Sequence, residues 1–158
     1  MQKRINFNTV QPTAYDAMDA LDQFVDGSAV DRAHRELIKI RASQINGCAY
    51  CVDAHSHDAL KQGESLQRVL LVSAWREAGE IFSEEERLLF QMTEEITLIH
   101  TGGLSDAVYE KAIAFFGEEK TAQLIMVITT INAWNRIGVA TQLRPAKRSR
   151  QTNFTTGG

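Results

Sequence analysis

Residues 28–55 read SAVDRAHRELIKIRASQINGCAYCVDAH, and the spacing of their apolar side chains decides the fold class. Val30, Ala33, Leu37 and Ile40 recur in a 3-4-3 pattern, the signature of one face of an amphipathic α-helix. Ser28 with Asp31 resembles a capping box at its start. Asn46-Gly47 is a strong turn dipeptide, so this helix stops there and a second one opens at Cys48. The pattern predicts two helices folded back on each other across a tight turn.

Similar signals continue on both sides. Upstream, Thr13 caps an expected first helix that carries Met18, Leu21, Phe24 and Val25 and ends near Gly27. Downstream, the helix opened by Cys48 runs to about Gln62 and is closed by Gly63, and another is expected from Ser65 to Ala78. Ser83 and Glu86 form a capping box ahead of the stripe Leu88, Leu89, Met92, Ile96 and Ile99. Thr101-Gly102-Gly103 breaks that helix, and Ser105 caps a shorter one ending at Phe116-Gly117. The last helix begins near Glu118 and is apolar almost all round from Leu124 to Ile128, which makes it the expected central helix. Strand-like alternation is nowhere convincing, so the expected class is all-α, with six to seven helices. Residues 1–145 form the expected helical redox domain. The polar, basic and glycine-rich tail 146–158 is expected to be disordered.

With 158 residues the chain is long enough for one buried core. A formal net charge of −3 offers no general attraction to nucleic acid or anionic lipid. The longest run of aliphatic residues and methionine, Leu124–Ile128, is far short of a membrane span. Met1-Gln2-Lys3-Arg4-Ile5 lacks the apolar stretch of a secretory signal, and the expected location is cytoplasmic. Thiols are normally kept reduced there, so two cysteines three positions apart point to catalysis or metal binding rather than a structural staple.

Cys48, Cys51 and His55 stand at i, i+3 and i+7, on one face of a helix. Both cysteines lie at the helix start, where unpaired N–H groups and the dipole favour a thiolate over a free thiol of pKa about 8.5. His55 is one turn beyond Cys51, within reach as a base. Two thiols and a base are the minimum set for reversible sulfur oxidation. Glu36 borders the apolar face of the preceding helix and, across the Asn46-Gly47 turn, can orient His55. The alternatives are two inert buried cysteines, or zinc held by Cys48, Cys51 and His55 with Glu36, Asp53 or His57 as fourth ligand. The zinc reading lacks the second, separated ligand pair that structural sites use. The helix dipole favours Cys48 as the attacking sulfur and proximity to His55 favours Cys51, so the residues alone leave that choice open. A redox sensor with little turnover would use the same motif.

Glu36, then eleven residues, then Cys48-Ala49-Tyr50-Cys51-Val52-Asp53-Ala54-His55 resembles the pattern of the AhpD-like alkylhydroperoxidases in the carboxymuconolactone decarboxylase superfamily. The resemblance extends over roughly residues 14 to 143, through Ala74-Trp75-Arg76-Glu77 and Asn132-Ala133-Trp134-Asn135-Arg136. It implies a homo-oligomeric all-α protein, commonly a trimer or hexamer, that reduces hydrogen peroxide or organic hydroperoxides. It further implies that Cys51 attacks the peroxide, Cys48 resolves, and Glu36 and His55 relay the proton. No flavin, haem or metal is implied, but a lipoyl-bearing or thioredoxin-like reductant is. Tyr50 stands where the best-studied type of active site has histidine, so one relay member is missing or replaced by a phenol. Decarboxylases of the superfamily generally lack the cysteine pair, which speaks against lactone decarboxylation.

The remaining polar and aromatic residues have simpler expectations. Trp75 and Trp134 read as core packing, Arg76 and Arg136 as ion-paired or at a subunit contact, and Asn132 and Asn135 as bonds between helices. His57 points off the His55 face, His100 suits a helix C-terminus, and His34 reads as an ordinary surface residue. Lys147, Arg148 and Arg150 are too few to argue nucleic-acid binding.

Overall fold

A computed structural model describes residues 4–147, and every regular element among them is helical. The α-helices are α1 (Phe7–Val10), α2 (Pro12–Asp26), α3 (Arg32–Asn46), α4 (Ala49–Lys61), α5 (Leu66–Leu71), α6 (Glu84–Thr97) and α7 (Asp106–Thr141). Short 3₁₀ turns occupy Val72–Ala74, Gly79–Ile81 and Ile99–Thr101. The all-α expectation holds. None of these helices is long and apolar enough to cross a membrane. Residues 148–158, most of the tail expected to be disordered, lie outside the described residues.

The apolar run in the last helix does make it the centre. α7 packs against α2, α3, α4 and α6, and its Leu124, Val127 and Ile128 are fully buried with Ile38 of α3 and Leu89 and Met92 of α6. Each such side chain contributes roughly 1.5–3 kcal/mol of transfer free energy. A second cluster gathers Leu37 and Ile40 of α3 with Trp75, Phe82 and Phe90. A third, at the other end of α3, joins Ala42, Ile131 and Trp134 to the two cysteines.

Within α7 the backbone leaves helical geometry at Gly117, with φ 75° and ψ 170°, a conformation open essentially to glycine alone. The division expected at Phe116-Gly117 is there as a break inside one continuous element. The capping box is also present: Ser83 Oγ accepts from Glu86 N, and the Glu86 carboxylate accepts from Ser83 N at 2.8 Å.

Several local expectations are corrected. α2 begins at Pro12 rather than after a Thr13 cap, because proline's fixed φ suits the first helical position. Phe24 is half exposed and only Val25 of that helix is fully buried. No capping box forms at Ser28: its hydroxyl turns back to Val25 O at 2.6 Å, closing α2, and α3 starts at Arg32. Val30 therefore lies outside α3, Ala33 is exposed, and Ile38 joins Leu37 and Ile40 in the core. The helix expected over Ser65–Ala78 ends at Leu71. Beyond it the chain winds through 3₁₀ and turn geometry, bringing Trp75 onto Phe90 at 5.5 Å and its indole N–H to Glu94 at 2.7 Å. α6 stops at Thr97, so Ile99 and His100 sit exposed in a 3₁₀ turn.

A candidate redox site where α3 turns into α4

The corner is built from backbone first. Gly47 closes α3 in the left-handed region at φ 68°. Gly47 N–H bonds back to Gln44 O and Ser43 O, and Cys48 N–H to Ser43 O at 3.0 Å, the two-bond pattern that ends a helix on glycine. Asn46 then ties the corner to α7, donating to Asn132 Oδ1 and Asn135 Oδ1 at 2.9 Å each. Asn135 donates to Ser43 Oγ and Asn132 to Thr97 Oγ1, also at 2.9 Å. The expectation that these asparagines bond between helices is met, and the network joins α3, α6 and α7.

Cys48 is the N-cap of α4, and its sulfur accepts from Cys51 N at 3.4 Å, the place a serine hydroxyl usually takes. Cys48 and Cys51 are joined by a disulfide with Cα atoms 5.4 Å apart, inside the ordinary range for such a bond. Neither sulfur is a thiolate in this oxidised state.

Glu36 and His55 meet across the corner, His55 Nδ1 lying 2.8 Å from Glu36 Oε2. An ionised carboxylate only accepts, so Nδ1 carries a proton and Nε2 is the nitrogen left to exchange one. Lys39 Nζ lies 3.6 Å from Glu36 Oε1. Burial alone pushes the Glu36 carboxyl up, but the bond from His55 and the charge of Lys39 outweigh it and hold the group below its ordinary value. His57 stays outside this arrangement, 3.9 Å from Asp58.

Cys51, His55 and Tyr50 open onto a cavity of about 1050 Å³. Tyr15 and Asp22 of α2 and Trp134 of α7 form another wall, and the segment 4–8 with residues 141–144 closes the end. Arg4 Nη1 donates to Ala140 O at 2.6 Å, tying the two terminal segments together. Cys48 does not line the cavity. Trp134 is more than core packing: its indole N–H donates to Asp22 Oδ2 at 2.8 Å, and Tyr15 meets its ring edge-on at 5.2 Å. Burial raises the Asp22 carboxyl above its usual value despite that bond. The Tyr15 phenol is raised too, by burial and then by Asp19, Tyr50 and Asp22.

The four expected site residues, Cys48, Cys51, His55 and Glu36, thus converge on one corner. Lys39, Asp22 and Tyr15 were not anticipated. Lys39 had a readable signal, one turn from Glu36, but the Asp22–Trp134 contact spans 112 positions and leaves none. The expectation for His34 is corrected. It is mostly buried, with Asp31 Oδ2, Glu85 Oε1 and Glu86 Oε1 at 3.6, 3.7 and 3.9 Å, because α6 packs its acidic first turn over α3. Arg76 is ion-paired, to Glu94 at 2.5 Å, whereas Arg136 bonds to its own helix at Asn132.

Comparison with known proteins agrees with this architecture. The carboxymuconolactone decarboxylase family model matches residues 12–95, and the chain belongs to that family. The uncharacterized protein YdfG of Bacillus subtilis is 37% identical over 148 residues, covering 94% of this chain and all of YdfG. A crystal structure from Agrobacterium tumefaciens superposes with a TM-score of 0.89 at 36% identity, over 93% of this chain and 100% of that one. That protein has no known function and is regarded as a candidate AhpD antioxidant-defence protein, which marks the fold as AhpD-like. The debrominase Bmp8 shares the fold at 17% identity, with a TM-score of 0.78 over 87% of this chain and 74% of its own.

Proposed function

We propose that this protein is a thiol peroxidase that reduces organic hydroperoxides through Cys51 and Cys48, with Glu36 and His55 as its proton relay. The observation that carries the reading is the Glu36–His55 hydrogen bond beside a cysteine pair of which only Cys51 opens onto the cavity. Access favours Cys51 in the choice that helix position left open: Cys51 lines the cavity, where an incoming peroxide would meet it, and Cys48 does not. His55 takes the Cys51 proton, and the thiolate sulfur attacks the outer peroxide oxygen. The O–O bond breaks, the leaving alkoxide collects a proton as the alcohol, and Cys51 becomes a sulfenic acid. The Cys48 thiol then attacks the Cys51 sulfur, forming the disulfide and releasing water. Two electrons from a lipoyl-bearing or thioredoxin-like dithiol restore the pair.

The cavity supports an organic rather than an inorganic peroxide. Hydrogen peroxide fills little more room than two waters, each claiming about 30 Å³, whereas about 1050 Å³ suits a drug-sized molecule. Apolar surface on Tyr15, Ile131 and Trp134 would bind a hydrocarbon body, at roughly 0.8 kcal/mol per methylene buried. Steady-state assays pairing hydrogen peroxide and cumene hydroperoxide with lipoyl, thioredoxin and small-thiol reductants test this. The expected kcat/KM for the bulky peroxide is at least tenfold the higher. Absence of turnover with every pair overturns the peroxidase reading in favour of a sensor. A homotrimer or homohexamer belongs to the same proposal, supported by the half-exposed Ile5, Phe24, Leu70, Phe115 and Leu143. Light scattering at micromolar concentration checks it, and a monomer would refute it.

A further inference from the structure

Helix α7 contains a glycine that its own conformation does not call for. Gly138 is buried one turn before the helix ends at Thr141, with no positive φ. Glycine in a helix interior costs roughly 0.5–1 kcal/mol relative to alanine. Its surroundings explain the choice. A Cβ added at Gly138 would lie 3.1 Å from Cys48 Sγ and 3.7 Å from Cys51 Sγ. The first distance is well inside the optimum of about 3.5–4.0 Å even for two carbons, and sulfur is larger. Both sulfurs therefore rest against bare helix backbone.

That backbone is not free to retreat. Gly138 O accepts from Leu143 N at 2.9 Å, and Asn135, one turn earlier, is bonded to Ser43 and Asn46 of α3. Cys48 is equally fixed, its N–H held by Ser43 O. In the disulfide the Cys48 sulfur is bonded on both sides and cannot move away. In the dithiol it can turn about its own Cα–Cβ bond.

We infer that Gly138 is a positioning residue for the resolving thiol: its missing side chain is the space from which Cys48 reaches Cys51. The capture step rests on the peroxidase reading, but the disulfide equilibrium does not. A methyl group at position 138 penalises the disulfide and the approach to it, while leaving the dithiol a way out.

The test is Gly138→Ala, read in both redox states. Titration against a dithiothreitol redox buffer should show the equilibrium constant for disulfide formation about tenfold lower, equivalent to about 30 mV for a two-electron couple. After one equivalent of cumene hydroperoxide, a sulfenic acid on Cys51 should persist at least tenfold longer than in the parent protein. Melting should separate the states, the oxidised variant falling below its parent and the reduced variant matching or exceeding it. If the single variant folds poorly, Cys48→Ala combined with Gly138→Ala decides. Removing the sulfur should abolish the penalty, and a double variant as unstable as the single one overturns the inference. Unchanged redox equilibrium and capture, or equal melting shifts in both states, overturn it too. Should the parent protein reduce no peroxide, the peroxidase reading falls, while titration and melting still decide the role of Gly138.

Discussion

Glu36 and Glu94 are the same residue type at nearly the same depth, 6% and 8% exposed, and both are held below the ordinary glutamate pKa. Their neighbourhoods differ in kind. Glu94 meets Arg41 at 2.7 Å, Arg76 at 2.5 Å and the Trp75 indole at 2.7 Å, donors that never release a proton near neutrality. Glu36 has a histidine at 2.8 Å and a lysine at 3.6 Å. The first corner is locked; the second has an imidazole, whose other ring nitrogen is free of the Glu36 bond and can give or take a proton. A depressed carboxylate pKa therefore does not by itself mark a reactive site. What separates the corners is whether the partner can exchange a proton, and whether a cavity and a nucleophile stand next to it.

Each consequence of that contrast can be broken. The largest effect belongs to the sulfurs. Cys51→Ser should consume almost no peroxide, whereas Cys48→Ser should consume about one per subunit and stop at a trappable sulfenic acid. The reverse pattern would move the relay onto the other thiol. Glu36→Gln keeps an acceptor for His55 but removes the charge. It should slow the peroxide step about 10²-fold, the lower end for general acid–base catalysis, since Glu36 acts through His55. It should also raise the pH at which Cys51 is alkylated, while melting moves little. Glu94→Gln should do the opposite, costing about 2 kcal/mol of stability in denaturant titrations with activity per folded molecule retained.

The acid side of the stability profile sharpens the contrast. Glu36, Glu86 and Glu94 all have folded values below their unfolded ones. Their contribution is complete above the ordinary glutamate value of about 4.3 and is lost as pH falls through the folded values. Glu94→Gln should flatten that decline. Asp22 has the other sign. Its raised carboxyl contributes below the unfolded value of about 3.9, and that contribution is lost as pH rises through the folded one. Asp22→Asn keeps an acceptor for the Trp134 indole and should gain ~0.5 kcal/mol or less at neutral pH, because the group is half exposed and screened. A loss of stability there would mean the charge itself holds the cavity wall.

What was legible in the sequence follows the range of the forces involved. The Ser83–Glu86 cap, the Asn46-Gly47 turn and the Cys48–Cys51–His55 face are set within a turn or two, and each appears as expected. Glu36 was placed from helical projection plus one tight turn, which is still local. The Ser65–Ala78 helix failed because its second half follows a distant partner: Trp75 and Arg76 both reach Glu94 of α6. His34 failed for the same reason, since its carboxylates arrive on α6. Asp22 and Trp134 meet only after α2 has docked on α7.

The break at Gly117 has a bearing on how this chain tolerates change. An unbroken helix is a rigid screw, and slipping its front end by one residue would rotate everything behind it by about 100°. Here the thread is cut before the asparagines and glycine that grip the α3–α4 corner. A one-residue insertion ahead of Gly117 should therefore leave Asn132, Asn135 and Gly138 in phase, with the redox equilibrium of the cysteine pair unchanged in a dithiothreitol titration. Gly117 thus stands as a mechanical clutch between the register of the first part of α7 and that of the sulfur chemistry.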